Sequence, residues 1–190
     1  MNLLCLGDSL TYGYDVRPSE GWTAIVAAAG SFTVDNEGQC GDTTRGMLAR
    51  LRYLDLDQYD AFFVMGGSND VLLGYNLEDI CQQMQKLIAA FKGKGRPIYV
   101  GIPPLTKPES AFYGWQAADA VEDNNEKLRQ YRIWLLAYAA KTGCIPVDFY
   151  QALQTAEEKT GEKLYADGVH PNARGYAVLA QTALAAFTKS

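Results

Sequence analysis

Apolar positions in this chain follow two rhythms that take turns. Leu3-Leu4-Cys5-Leu6 and Ala61-Phe62-Phe63-Val64-Met65 are unbroken apolar runs of strand length. Runs of this kind belong to strands covered on both faces, as in a parallel sheet. With the shorter runs bounded by turn residues, strands are expected over residues 2–7, 32–35, 60–65, 97–102 and 145–149. Between them the period lengthens to that of a helix. Ile80, Met84, Leu87, Ile88 and Phe91 make the clearest stripe, ended by Gly93. Leu128, Tyr131, Leu135 and Tyr138 make another within residues 120–142, ended by Gly143. Further helices are expected over 22–29, over 45–52 with Asp42 or Thr43 as cap, over 151–159, and over 172–187 with Tyr176, Ala180, Leu184 and Phe187 facing inward. Strands alternating with helices give βαβ units and an α/β fold, a parallel sheet between two helical layers. The pattern leaves the strand order open. Residues 103–118 form the one long irregular stretch, with three prolines and Phe112, Tyr113 and Trp115. A loop that long inside a domain is usually functional or disordered.

Composition narrows the class of partner. With 190 residues, no internal repeat and no linker, one domain over residues 1–190 is expected. A net charge of −5 without a Lys/Arg run argues against nucleic acid or an anionic membrane as partner. No apolar run is long enough to span a bilayer. Asp8 interrupts the first apolar run too early for a secretory signal, so a cytoplasmic location is expected. Cys5, Cys40, Cys81 and Cys144 form no paired motif and the chain has a single histidine, so no metal site is expected, nor any cofactor. The thiols read as reduced and structural. Oligomeric state has no signature in the sequence.

Four short stretches carry the chemistry: Gly7-Asp8-Ser9-Leu10, Gln39-Cys40-Gly41-Asp42-Thr43, Gly67-Ser68-Asn69-Asp70 and Asp167-Gly168-Val169-His170. The first three follow predicted strands, and in a parallel sheet such segments converge on the edge where open α/β folds bind ligands. Ser9 is the candidate nucleophile, which needs a neighbouring base to become reactive. His170 is the only histidine available as that base. The Asp-Gly-Val-His spacing lets the Asp167 carboxylate fold back onto ring Nδ1, leaving Nε2 to face the serine. The backbone N–H groups of Ser9 and Gly41 and the side-chain amide of Asn69 are candidate donors to a developing oxyanion. Asp8, Asp42 and Asp70 are read as carboxylates that fix loops by accepting backbone N–H groups. Asp8 is the rival to Asp167 as orienter, but its place next to Ser9 should turn it away. Tyr12, Tyr14, Tyr75, Phe112, Tyr113 and Trp115 lie in loops expected at the same edge. They could wall an aryl group, a short acyl chain or a sugar, or simply pack those loops.

Taken together, these stretches resemble the blocks of the SGNH, or GDSL-type, serine hydrolases, in that family's order and across almost the whole chain. The resemblance implies a flavodoxin-like sheet of five strands in the order 2-1-3-4-5. It also implies the roles just named for Ser9, His170, Asp167, Gly41 and Asn69. The serine lies outside a Gly-x-Ser-x-Gly elbow, so the α/β-hydrolase arrangement is not implied. The family covers esterases, thioesterases, lysophospholipases and carbohydrate deacetylases. The expected activity is cleavage of a small carboxylic ester, short-chain or aryl, through an acyl-enzyme on Ser9. Sugar O-acetyl esters are the nearest alternative, followed by thioesters and lysophospholipids. A flavodoxin-like binding module would share the sheet, but its first loop should hold phosphate donors rather than Asp8.

Overall fold

Strands that are apolar on both faces have to be covered on both, and that requirement organises the molecule. The computed structural model describes residues 1–188. In chain order the elements are β1 (Asn2–Gly7), α1 (Ser9–Tyr12), α2 (Trp22–Ala28), β2 (Thr33–Gly38), α3 (Thr44–Leu51), β3 (Ala61–Met65), α4 (Ser68–Leu72), α5 (Leu77–Lys92), β4 (Ile98–Ile102), α6 (Val121–Thr142), β5 (Ile145–Asp148), α7 (Phe149–Thr160) and α8 (Ala173–Phe187). The strands form one parallel sheet in the order β2-β1-β3-β4-β5, as the resemblance implies.

The two-residue period of each strand sorts its side chains between two cores. Leu4, Leu6, Phe62, Val64, Val100 and Ile102 face α3, α5 and α6, where Met47, Met84, Leu87, Phe91, Leu128 and Leu135 are buried. Leu3, Cys5, Phe63, Met65, Tyr99 and Val147 face the other way, onto Trp22, Val26, Leu153, Tyr176, Leu179 and Phe187 of α2, α7 and α8. The helical stripe of α5 is buried throughout, and Gly93 follows its last residue.

The structure departs from the expected elements at two places, and it chooses between the two caps expected for α3. β2 runs to Gly38 rather than ending at residue 35. It is an edge strand paired only with β1, and Asp35, Asn36 and Glu37 continue it with no apolar signature because its faces are largely exposed. α1 and α4 are helical turns where loops were expected; at four and five residues they are too short to show a period. Thr43, not Asp42, caps α3, its hydroxyl accepting from Gly46 N–H.

The sheet's carboxyl edge is built for close approach. Gly7 and Gly38 are register partners at the ends of β1 and β2. A methyl group on Gly7 would collide with Thr11 Oγ1, and one on Gly38 with the Tyr12 backbone. The two glycines thus let α1 begin directly on the sheet, with β2 on one side of β1 and β3 on the other, the switch point of an open parallel sheet.

Candidate active site

Ser9 is the first residue of α1, and Asp8 is its cap, with one carboxylate oxygen accepting Leu10 N–H at 2.9 Å. The Ser9 hydroxyl meets His170 Nε2 at 2.8 Å, across 161 positions of sequence. His170 Nδ1 lies 2.7 Å from Asp167 Oδ2. A carboxylate only accepts, so Nδ1 carries the proton and Nε2 is left to accept from the serine. Ser9 is 6% exposed and His170 3%, which keeps the chain of bonds out of bulk water.

The Asp167 loop is shaped by its own sequence. Asp167 Oδ1 accepts both Val169 N–H at 2.9 Å and His170 N–H at 2.7 Å, a local turn closed by an aspartate side chain. Gly168 has φ +85°, and a side chain there would strike the Ser110 backbone. Lys107 N–H donates to Gly168 O at 2.7 Å and ties the loop to residues 103–118. Downstream, Asn172 caps α8 by accepting from Arg174 and Gly175, which anchors the histidine's other flank.

Two carboxylates near the imidazole behave in opposite ways. Burial pushes Asp167 up, but the ring N–H and the two backbone N–H bonds outweigh it and hold the group below its ordinary value. Asp8 has only the Leu10 N–H, and its second oxygen is buried without a partner. Burial therefore raises it to about 7, against the partial pull of Leu10 N–H and of His170. Asp70 is also raised by burial, although it accepts both the N–H and the hydroxyl of Thr44.

The Ser9 N–H is the first amide of α1 and, as such, has no intrahelical acceptor. Asn69 Nδ2 donates to Asp42 O at 2.9 Å, which joins α4 to the loop bearing Gly41. An amide has two hydrogens, so one N–H of Asn69 stays available. Gly41 has φ +78°, and the space where its side chain would stand is open. Asp42 does not fix its loop through backbone N–H groups as expected. Its carboxylate pairs with Arg50 Nε at 2.6 Å, while Arg50 Nη2 donates to Gly7 O at 2.8 Å and Glu37 O at 2.6 Å. Arg50 thus pins the ends of β1 and β2 to the Gly41 loop. No sequence signal marked it, because two of its acceptors are backbone carbonyls, which any residue type supplies.

The aromatic residues do not form one wall. Tyr12 lines a cavity of about 420 Å³ with Val16, Asn36 and Gly38. Tyr113 lines a separate one of about 420 Å³ with Lys107, Tyr165 and Gly168. Tyr75 borders a small recess beside Arg45 and Asp79, and Phe112 is 89% exposed. Tyr14 and Trp115 are the two that reach the imidazole. The Tyr14 ring lies 4.4 Å from it at 41°, the Trp115 ring 5.0 Å at 72°, and the two meet edge to face at 5.9 Å. Trp115 Nε1 also donates to Asp167 Oδ2 at 2.8 Å.

Cys5, Cys81 and Cys144 are buried free thiols, in keeping with packing roles, whereas Cys40 is exposed beside Gly41. Among the described residues, no group of His, Cys, Asp and Glu side chains could hold a metal ion, and no helix is long and apolar enough to cross a membrane.

A buried serine hydroxyl at the switch point of the parallel sheet, bonded to an imidazole that is itself bonded to a carboxylate, is the hydrogen-bond arrangement that serine-type hydrolysis uses. The model of the GDSL-like lipase/acylhydrolase family matches residues 5–178, and the chain belongs to that family of carboxylic ester hydrolases. An arylesterase of Vibrio mimicus is 32% identical over 140 residues, which cover 68% of this chain and 66% of that protein. Among solved structures, a lipolytic protein of the G-D-S-L family from Veillonella parvula DSM 2008 superposes with a TM-score of 0.86 at 28% identity, over 100% of both chains. A catalytic mutant of an acetylxylan esterase from Geobacillus stearothermophilus superposes with a TM-score of 0.79 at 23% identity, over 97% of this chain and 92% of the other.

Proposed function

We propose that Ser9 attacks the carbonyl carbon of a small carboxylic ester, with His170 as general base and Asp167 orienting it. The observation that carries this reading is the continuous chain of hydrogen bonds, 2.8 Å from serine to imidazole and 2.7 Å from imidazole to carboxylate, in a buried site. Nε2 takes the hydroxyl proton as the Oγ–C bond forms. The carbonyl oxygen becomes an oxyanion facing the N–H groups of Ser9 and Gly41 and the free N–H of Asn69. Collapse breaks the bond to the leaving alkoxide, which receives the proton from Nε2. Water then repeats the sequence on the acyl-serine and releases the acid.

A short acyl or aryl ester is the substrate class this surface favours. The exposed aromatic residues stand over separate recesses rather than along one groove, and a long chain needs a continuous apolar path. The arylesterase relative points to the same class. Hydrolysis should be measured on aryl and alkyl acetates, butyrates and octanoates, together with acetylated sugars. The reading expects the highest kcat/KM on acetates and butyrates of aryl alcohols. Ser9→Ala should lower kcat by at least about 10³-fold while folding normally. Near wild-type turnover by that variant would remove Ser9 from the chemistry.

A further inference from the structure

Asp167 Oδ2 accepts two hydrogen bonds, from His170 Nδ1 at 2.7 Å and from the indole Nε1 of Trp115 at 2.8 Å. We infer that Trp115 is a positioning residue of the ester-hydrolysing site, its indole N–H and ring edge setting how the Asp167–His170 pair holds and releases its proton. The inference rests on the roles proposed above for those two residues.

The indole is held by a built scaffold. Trp115 N–H donates to Ser110 O at 3.0 Å, and Lys107 N–H binds Gly168 O at 2.7 Å. The next residue, Gln116, donates to Thr106 Oγ1 at 2.8 Å and to Ser110 Oγ at 2.7 Å, and it accepts from Asn124 Nδ2 at 2.8 Å. Asn125 closes on both backbone groups of Thr106 at 2.9 Å. The irregular stretch is therefore fastened to the start of α6, and it delivers one N–H to the far side of the carboxylate.

That donor has a defined electrostatic effect. With the indole in place the carboxylate receives four hydrogen bonds, two on each oxygen. Each donor that stabilises the carboxylate weakens its pull on the Nδ1 proton. It also spreads the charge that would otherwise hold an imidazolium more tightly. Packed against Trp115 at 5.0 Å and Tyr14 at 4.4 Å, the ring has little freedom to turn from Ser9. Other titratable groups facing this pair are Asp8, Tyr14 and Tyr176, whose hydroxyl donates to Tyr14 O. None of these donates to Asp167 Oδ2.

The test is Trp115→Phe, which keeps a ring and removes the N–H, with Trp115→His as the variant that restores a ring donor. Trp115→Phe should lower kcat by about ten- to a hundredfold, the range for losing a hydrogen bond to a charged group, with KM within about twofold. The acid limb of its kcat/KM profile should move to higher pH, and Trp115→His should recover part of both effects. The chain has one histidine, so the downfield imidazole N–H signal in proton NMR belongs to His170 without ambiguity in the wild type and in Trp115→Phe. That signal should shift in Trp115→Phe whether or not the enzyme turns over. An unchanged pH limb and an unchanged signal would overturn the inference, and so would a loss confined to KM. A shifted signal in a protein whose Ser9→Ala variant stays active would instead sink the proposed roles while leaving the indole–carboxylate contact intact.

Discussion

The two segments that meet at the imidazole hold their aspartates in opposite ways. Residues 164–172 give Asp167 three donors, Trp115 adds a fourth, and the carboxylate stays ionised despite burial. Residues 7–12 give Asp8 one donor, strand its other oxygen, and let burial lift it to about 7. Asp8 lies deeper and receives fewer N–H groups, whereas Asp167 is less deeply buried and receives more, so burial and donor number together separate their charges. A buried carboxylate with a full set of donors is a fixed negative charge for an imidazolium to lean on, whereas one without them is a liability the fold tolerates.

Substitutions can break this contrast, and the largest effect belongs to Asp167. Asp167→Asn keeps the size but should lower kcat by about 10⁴-fold through the wrong imidazole tautomer, measured on an aryl acetate. A loss smaller than tenfold would place the orienting charge elsewhere. Next comes Asn69→Ala, which removes a donor on the serine side. It should cost about 10²-fold or more in kcat with KM little changed. A change confined to KM would make Asn69 a contact for the bound substrate only.

Asp8→Asn should have the smallest effect on turnover, within about tenfold, because asparagine still caps α1 well. Its effect on stability should be larger and pH-dependent. The folded chain keeps the Asp8 proton to about pH 7, while an unfolded chain loses it near the ordinary value of about 4. Between those values the folded state binds more protons, so the wild type loses stability as pH rises, by at most about 4 kcal/mol once both forms are ionised. In urea unfolding the advantage of Asp8→Asn over wild type should therefore grow from pH 5 to pH 8; a constant difference would contradict the buried acid. Asp167 has the opposite sign. Its contribution is complete above about pH 4 and is lost as pH falls through its lowered folded value.

Much of this arrangement was legible before the structure. Apolar runs marked β1 and β3, the five-residue stripe marked α5, and the Asp167-Gly168-Val169-His170 spacing foretold a carboxylate folded back on Nδ1. What stayed hidden has physical reasons. β2 is an edge strand and needs no apolar face, so Asp35, Asn36 and Glu37 concealed its length. α1 and α4 are too short for a period. Arg50 and Trp115 reach their acceptors across 43 and 52 positions of sequence, pairings that local pattern does not reveal. Aromatic side chains looked alike in the sequence, yet only the folded loops separate Tyr14 and Trp115, against the imidazole, from Tyr12, Tyr75, Phe112 and Tyr113 on the outer surface.

The central claim is that the Ser9 hydroxyl is made reactive by the imidazole and the ionised Asp167 behind it. The rate at which a fluorophosphonate labels the protein, with the modified residue located by peptide mass spectrometry, tests it most directly. Wild type and Asp8→Asn should label at Ser9 at similar rates, and Asp167→Asn should label at least about 10³-fold more slowly. Equal rates in the wild type and Asp167→Asn, or label found on any residue but Ser9, would contradict the account.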